Sequence, residues 1–281
     1  MKDIRLEWGK YCTILDIPFK LEEKINPYDD TTLFCISGMQ QYKPLFSDES
    51  KVGETISNIQ SCLRLNDLND IGDGSHLLYF NMIGMFSFRD VTLERSIDIW
   101  MGFITNILEL KLDYVTIHPD KMDEWSKYYD KWKVEIRPDV ECTWSDGEIG
   151  GYCTEFYSGG LEIGNIVNPL GTCIDVGFGL ERLDMLVNGV EYTKDEILIE
   201  TCWKIIQSGY SPGPQKQGYV LRKLLRLLYR SGQSIDHEFF LSEIERQEKL
   251  HSKYMAIKDK HPDKTKEWFY DTHGIDISDF E

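Results

Sequence analysis

No two cysteines in this chain stand in a Cys-x-x-Cys pair. The seven present (12, 35, 62, 142, 153, 173 and 202) are scattered. Neither a zinc knuckle nor a disulfide frame is therefore expected, and the thiols read as free in a reducing, cytoplasmic compartment. Long apolar runs are missing too. Nothing approaches the roughly 18–20 residues that span a bilayer, and Met1-Lys2-Asp3-Ile4-Arg5 opens no signal-peptide core, so no membrane partner is expected. Basic residues are scarce, 31 Lys and Arg against 48 Asp and Glu for a net charge of −17, which argues against a generic nucleic-acid binder. Repeats and low-complexity tracts are absent.

What remains has the composition of a folded protein, 41% hydrophobic and 12% aromatic over 281 residues, enough for one large or two modest domains. Charge divides unevenly along it. Residues 1–200 carry 18 Lys and Arg against 36 Asp and Glu, whereas 201–266 is basic. Residues 3–15 read as an amphipathic helix, Thr31–Ser37 as a β-like run, and Asp90 as the cap of a helix to about Leu110. Strands are expected at the two arms of a hairpin around 57–65 and 76–86. More follow near 113–118, 132–137, 152–157, 161–168 and 172–177. From about 194 the pattern is helical. The expected fold class is α+β, an antiparallel sheet flanked by helices (residues 1–190), followed by a small helical domain (191–281).

Two segments point to chemistry. One is the hairpin, with Arg64 ending its first strand and Phe80 on the return: a fork of donors for an anion and a flat ring for a base. The other is Ile174-Asp175-Val176-Gly177-Phe178-Gly179-Leu180-Glu181-Arg182, a strand running through close-spaced glycines into a helix. Its glycines let backbone approach a ligand, Asp175 can face that ligand, and Arg182 can stack on a base or hold phosphate. Taken alone, Phe80 fits a core position as well as a site. In the basic region Arg222, Arg226 and Arg230 recur every four residues beside Lys223. No acid lies between Lys216 and Arg230, so the stripe is uncompensated within its helix and suits a phosphate backbone. A solvated face is the plainer reading of the same stripe.

At these residues the chain resembles the class II aminoacyl-tRNA synthetases, and within them the alanyl-tRNA synthetase family. Asp30-Thr31-Thr32-Leu33-Phe34 and Ser37-Gly38-Met39-Gln40-Gln41-Tyr42-Lys43-Pro44 are similar to that family's Asp-Pro-Thr-Leu-Leu-Phe and Ala-Gly-Met-Asn-Gln-Phe-Lys segments. Asn66-Asp67-Leu68, Phe80 to Asp90, Cys153-Thr154-Glu155, Glu162 to Val167 and Asp175 to Arg182 continue it in order. Gly218-Tyr219-Val220-Leu221-Arg222-Lys223 and Trp268-Phe269-Tyr270-Asp271-Thr272-His273-Gly274 resemble its tRNA-binding helix and its Leu-Tyr-Asp-Thr-Tyr-Gly motif. The likeness departs in places. The motif-two loop is mostly deleted after Arg64 and has lost its lysine, Ser75 replaces an arginine, Asn81 a glutamate and Gly164 a tryptophan. Pro214 falls where an asparagine helps to read a G·U pair, and 281 residues leave no room for the editing domain with its zinc ligands.

The resemblance implies ATP- and Mg2+-dependent formation of alanyl-adenylate without zinc, then transfer to a tRNA acceptor stem by a monomer. It implies Arg64, Asp175 and Arg182 as the residues of catalysis. Arg64, Phe80, Met82, Gly179 and Arg182 are implied around ATP; Met39, Arg64, Trp144, Asn165, Val167 and Asp175 around alanine; Arg222, Lys223, Arg226, Arg230 and Asp271 on tRNA. An adenylate-forming ligase with another acceptor, and an inactive tRNA-binding paralogue, stay open as alternatives.

Overall fold

The computed structural model describes residues 1–147 and 149–277, in two compact units, Met1–Ser208 and Gly209–Glu281. The division falls later than the expected 190/191.

The first unit is built on a sheet whose strands are β1 (Phe19–Glu22), β2 (Glu54–Leu63), β3 (Tyr79–Phe88), β4 (Tyr114–Ile117), β5 (Glu135–Pro138), β6 (Thr143–Ser145), β7 (Gly150–Ser158), β8 (Leu161–Val167) and β9 (Cys173–Gly179). Their order is β1-β2-β3-β9-β8-β7-β4-β5, with β6 paired to β7. The interior pairs are antiparallel, as expected. The outer pairs β1–β2 and β4–β5 are parallel, so the sheet is mixed rather than purely antiparallel. The fold is α+β, with α1 (Ile4–Ile14), α2 (Lys43–Ser47), α3 (Leu93–Gly102), α4 (Met122–Trp125), α5 (Leu180–Asn188) and α6 (Lys194–Gln207) beside the sheet. In the second unit are α7 (Lys216–Arg230), α8 (Glu238–Lys258) and α9 (Lys266–His273).

One sheet face carries the main core. Trp8 of α1 stacks on Trp100 of α3 at 4.2 Å, and Trp100 stacks on Phe178 of β9 at 4.2 Å. These rings, with Ile59, Ile83, Val176 and Phe156, exclude water from the face opposite the site.

Two sequence expectations are corrected. Thr31–Ser37 forms no strand. Asp29 Oδ1 accepts from the Thr31 N–H at 2.8 Å, which turns the chain, and the Leu63 N–H donates to the Cys35 carbonyl at 2.8 Å, pinning the segment as a loop over β2. The cap of α3 is Thr92, which accepts from the Arg95 N–H; Asp90 instead accepts from Thr55 at 2.6 Å. The α-helix then ends at Gly102, and a π-helical turn over Phe103–Ile107 completes the expected length.

Candidate active site

Register assembles the site. Directly opposed residues in a sheet point to the same face, and Phe86↔Asp175 and Asp175↔Val167 form one such row. Gly84↔Gly177 and Gly177↔Asn165 form the next row, and Met82↔Gly179 the third. Phe80 lies two residues before Met82 and shares its face, while Arg64 leaves the end of β2 beside it. Close packing needs the glycines here. A Cβ on Gly84 would lie 2.4 Å from the Phe86 ring, and one on Gly177 would lie 3.0 Å from Met82 Sδ.

These rows line a cavity of about 200 Å3 in the first unit. Arg64, Phe80, Met82, Gly179 and Arg182 lie around it, as do Met39, Trp144, Asn165, Val167 and Asp175. The ten residues expected from the sequence around ATP and alanine thus share one hollow. Arg64 is fixed by its Nε donating to the Ile36 carbonyl at 3.0 Å, and its guanidinium stands 5.0 Å from the Phe80 ring centroid. That leaves its remaining N–H groups for an anion beside an aromatic surface. Arg182 is braced from β8, donating to the Glu162 carbonyl at 2.7 Å and to its carboxylate at 3.2 Å.

The floor of the cavity is acidic and buried. Asp175 is 8% exposed, and burial alone pushes its carboxyl up from 3.8 to about 7. No basic side chain among the described residues pairs with it. Glu181 is equally buried, and burial raises it to about 7 as well, although it accepts from the Asn81 N–H at 2.8 Å and from Asn81 Nδ2 at 2.7 Å. An acid without a counter-charge in such a place is set to receive a cationic group.

Among the lining residues that sequence reasoning did not assign to the site, four are ionisable: Asp67, His76, Glu162 and Glu181. His76 stands four residues before Phe80, its ring held by Asp73 Oδ2 at 2.6 Å, and that spacing along one hairpin arm was the available signal. Glu162 lies on β8 and Glu181 on α5, elements expected from the sequence, and it is their packing that brings both carboxylates to the cavity. The departure at Gly164 is explained by packing. A Cβ there would meet Phe178 Cγ at 2.4 Å, so position 164 faces the core and the Phe178 ring fills its space. Position 164 therefore gives the cavity only backbone.

The residues present fit a nucleotide with its metal. Arg64 offers donors for phosphate, Phe80 and Arg182 offer flat faces for a base, and Asp67 and Glu162 supply the hard oxygen donors that Mg2+ prefers.

In the second unit the arginine stripe is less free than expected. Arg222 Nε reaches Glu243 Oε2 of α8 at 3.1 Å, and Arg226 Nη1 reaches Glu243 Oε1 at 3.3 Å. Arg246 joins at 2.7 Å, and Arg226 is buried. Within α7 the stripe has no acid, as the sequence shows; its counter-charge comes from the neighbouring helix, which a reading confined to α7 cannot see. Lys223, Arg230 and Asp271 are exposed.

Residues 22–207 match the family described as tRNA synthetases class II (A). The alanine–tRNA ligase of Oleidesulfovibrio alaskensis is 30% identical over 295 residues, covering 75% of this chain and 33% of the relative. That of Chlamydia muridarum is 28% identical over 298 residues, covering 78% and 34%. The chain thus spans about a third of the length of these curated relatives. A histidyl-tRNA synthetase structure from Staphylococcus aureus aligns over 88% of this chain and 82% of its own at 10% identity, with a TM-score of 0.45, too loose a likeness to bear on the fold. With the family match covering β2 to β9, the cavity and α6, the chain belongs to the class II (A) tRNA synthetases.

Proposed function

We propose that this chain is an alanine–tRNA ligase. It joins alanine to ATP as alanyl-adenylate with release of pyrophosphate, then passes the alanyl group to the 3′ end of an alanine tRNA. The observation that carries the reading is Asp175: a buried acid without a cation, set across one cavity from Arg64 and Phe80. In this reading Asp175 takes the substrate ammonium. Met39, Trp144 and Val167 wall the methyl group, and Asn165 gives a polar contact. Phe80 and Arg182 hold adenine between them, with Met82 and Gly179 at its edge. The alanine carboxylate oxygen attacks the α-phosphorus as the bond to pyrophosphate breaks. Arg64 bridges both reactants and stabilises the charge that develops, so catalysis rests on orientation and electrostatics. Mg2+, held by Asp67 or Glu162 together with phosphate oxygens, supplies further charge neutralisation when bound.

Lys223, Arg230 and Asp271 are then the side chains offered to the acceptor stem, and we ascribe no proofreading step to either unit. The engagement of Arg222 and Arg226 by Glu243 favours a second reading, in which the adenylate is delivered to an acceptor other than tRNA. The test is pyrophosphate exchange with each amino acid, followed by charging of total tRNA. Alanine-dependent exchange with charging supports the ligase. Exchange without charging selects the second reading, and no exchange with any amino acid defeats both.

A further inference from the structure

One wall of the cavity is tied from outside by an ion pair that the proposed reaction leaves unused. Trp144 sits on β6, a strand of three residues paired to β7 and off the main path of the sheet. Among the described residues no second strand pairs with β6, so the sheet fixes Trp144 from one edge only. Its cross-strand partner is Gly151, with Gly150 beside it, and glycines bring no side chain to hold the indole. Met39, on the facing wall, leads through the turn Gln40–Tyr42 into α2, which opens with Lys43. Lys43 Nζ stands 2.9 Å from Asp146 Oδ2, the two side chains 23% and 21% exposed. Asp146 follows Trp144 by two residues, and its Oδ1 accepts from the Ile149 N–H at 2.9 Å. One carboxylate thus shapes the connection after β6 and ties it to α2. The lysine end is firm, because Tyr42 packs on Phe86 at 4.9 Å and Phe46 on Phe88 at 5.0 Å. Trp144 packs against the same buried cluster, which includes Met39.

We propose that Lys43 and Asp146 are positioning residues for the amino acid: their ion pair latches β6 to α2 and so holds Trp144 at the spacing from Met39 that fits the substrate methyl group. The inference rests on the alanine reading of the cavity. Neither group lines the cavity, so neither touches substrate. A half-buried pair is screened less than one on the open surface, and it joins segments about a hundred residues apart in sequence. The main core lies on the other face of the sheet, so breaking the pair leaves the fold in place and frees the wall. A loosened wall must be ordered each time the substrate binds, which weakens binding without altering the reacting groups. Phe80 and Arg182 stand on β3 and α5, which the pair does not tie, so the ATP end keeps its shape. The amino acid is lost equally from the ground and transition states, and KM for it rises while kcat holds.

The test is pyrophosphate exchange by the full chain, with alanine, glycine and ATP varied in turn. Lys43→Met and Asp146→Asn should each raise KM for alanine about tenfold, with kcat and KM for ATP within about twofold of wild type. The asparagine keeps an oxygen for the Ile149 N–H, so that variant removes the charge alone. Preference for alanine over glycine should shrink at least about threefold, because the wall that meets the methyl group is the part set loose. The double variant should be no worse than either single one, and Lys43→Arg should stay within about threefold of wild type. A second measurement does not depend on turnover: the amides of β6 should exchange faster with deuterium in Lys43→Met, while those of β3 and β9 keep their protection. Unchanged KM for alanine in both variants, a KM for ATP that rises in step, additive effects in the double variant or unaltered exchange in β6 would each overturn the latch and leave the ligase reading standing. A wild type without alanine-dependent activity would overturn that reading, and the latch with it.

Discussion

Two buried carboxylates, one in each unit, meet opposite electrostatic surroundings. Glu243 lies between α7 and α8, 2% exposed. Burial disfavours its charge, but hydrogen bonds from Arg246 and Gln247 and the charge of Arg222 outweigh it and hold the group below the usual range. Asp175 has burial and no such company, and sits near 7. A compensated buried acid is a structural element. An uncompensated one costs stability, and its natural complement is a ligand that brings the missing positive charge.

The largest effect should come from breaking the compensated site. Glu243→Ala removes the buried carboxylate shared by Arg222, Arg226 and Arg246 and should lower unfolding stability by about 3–5 kcal/mol in a urea titration. A loss under about 1 kcal/mol would show that the arginines find other partners. Next come Arg64→Ala and Asp175→Ala, each expected to cut alanine-dependent exchange by about 10²–10³-fold while circular dichroism stays unchanged. Near-normal exchange in either would remove that residue from the site.

Asp175→Asn should lose exchange yet gain stability. A carboxyl raised in the folded state favours the protonated fold, so its stability is intact below the unfolded value near 4 and declines as pH rises through about 7. The asparagine variant should therefore exceed wild type by about 1–3 kcal/mol at pH 8 and match it at pH 4. Equal melting at both pH values would mean that Asp175 is already compensated. In the same window the KM for alanine should fall as pH rises from 6 to 8, because the ammonium needs the charged form. Smallest is the effect at the exposed cations. Lys223→Ala should weaken tRNA charging a few-fold, more at low salt, with no change in the melting curve. Arg226→Ala should act chiefly through stability, and a purely tRNA-dependent defect in it would reverse that assignment.

Much of this was legible from local pattern. Phe80 and Asp175 sit on strands whose alternation and glycines are visible in sequence, Arg64 directly follows one, and the hairpin register then brings them together. Where tertiary pairing decided, sequence reasoning failed. Thr31–Ser37 has strand-like residues but gains more from the Asp29 turn and its bond to Leu63. Asp90 and Thr92 are both good caps, and only the proximity of Thr55 assigns Asp90 elsewhere. Glu243 was invisible as the partner of α7, and Asp146 as the partner of Lys43, because each pairing exists only once a neighbouring element is laid alongside.

The contact between Gly164 and Phe178 has a consequence for how such a core can change over generations. A side chain at 164 and the ring at 178 claim one volume, with Phe156 and Trp100 closing it on two other sides. A large residue at 164 alone collides with the ring, and removing the ring alone opens a void costing about 3–5 kcal/mol. The two positions therefore form a single heritable unit: an exchange between them must pass through a small residue at both sites, or a stabilising change must already be in place. Grafting position 164 from a relative, one residue at a time, transfers half of a pair.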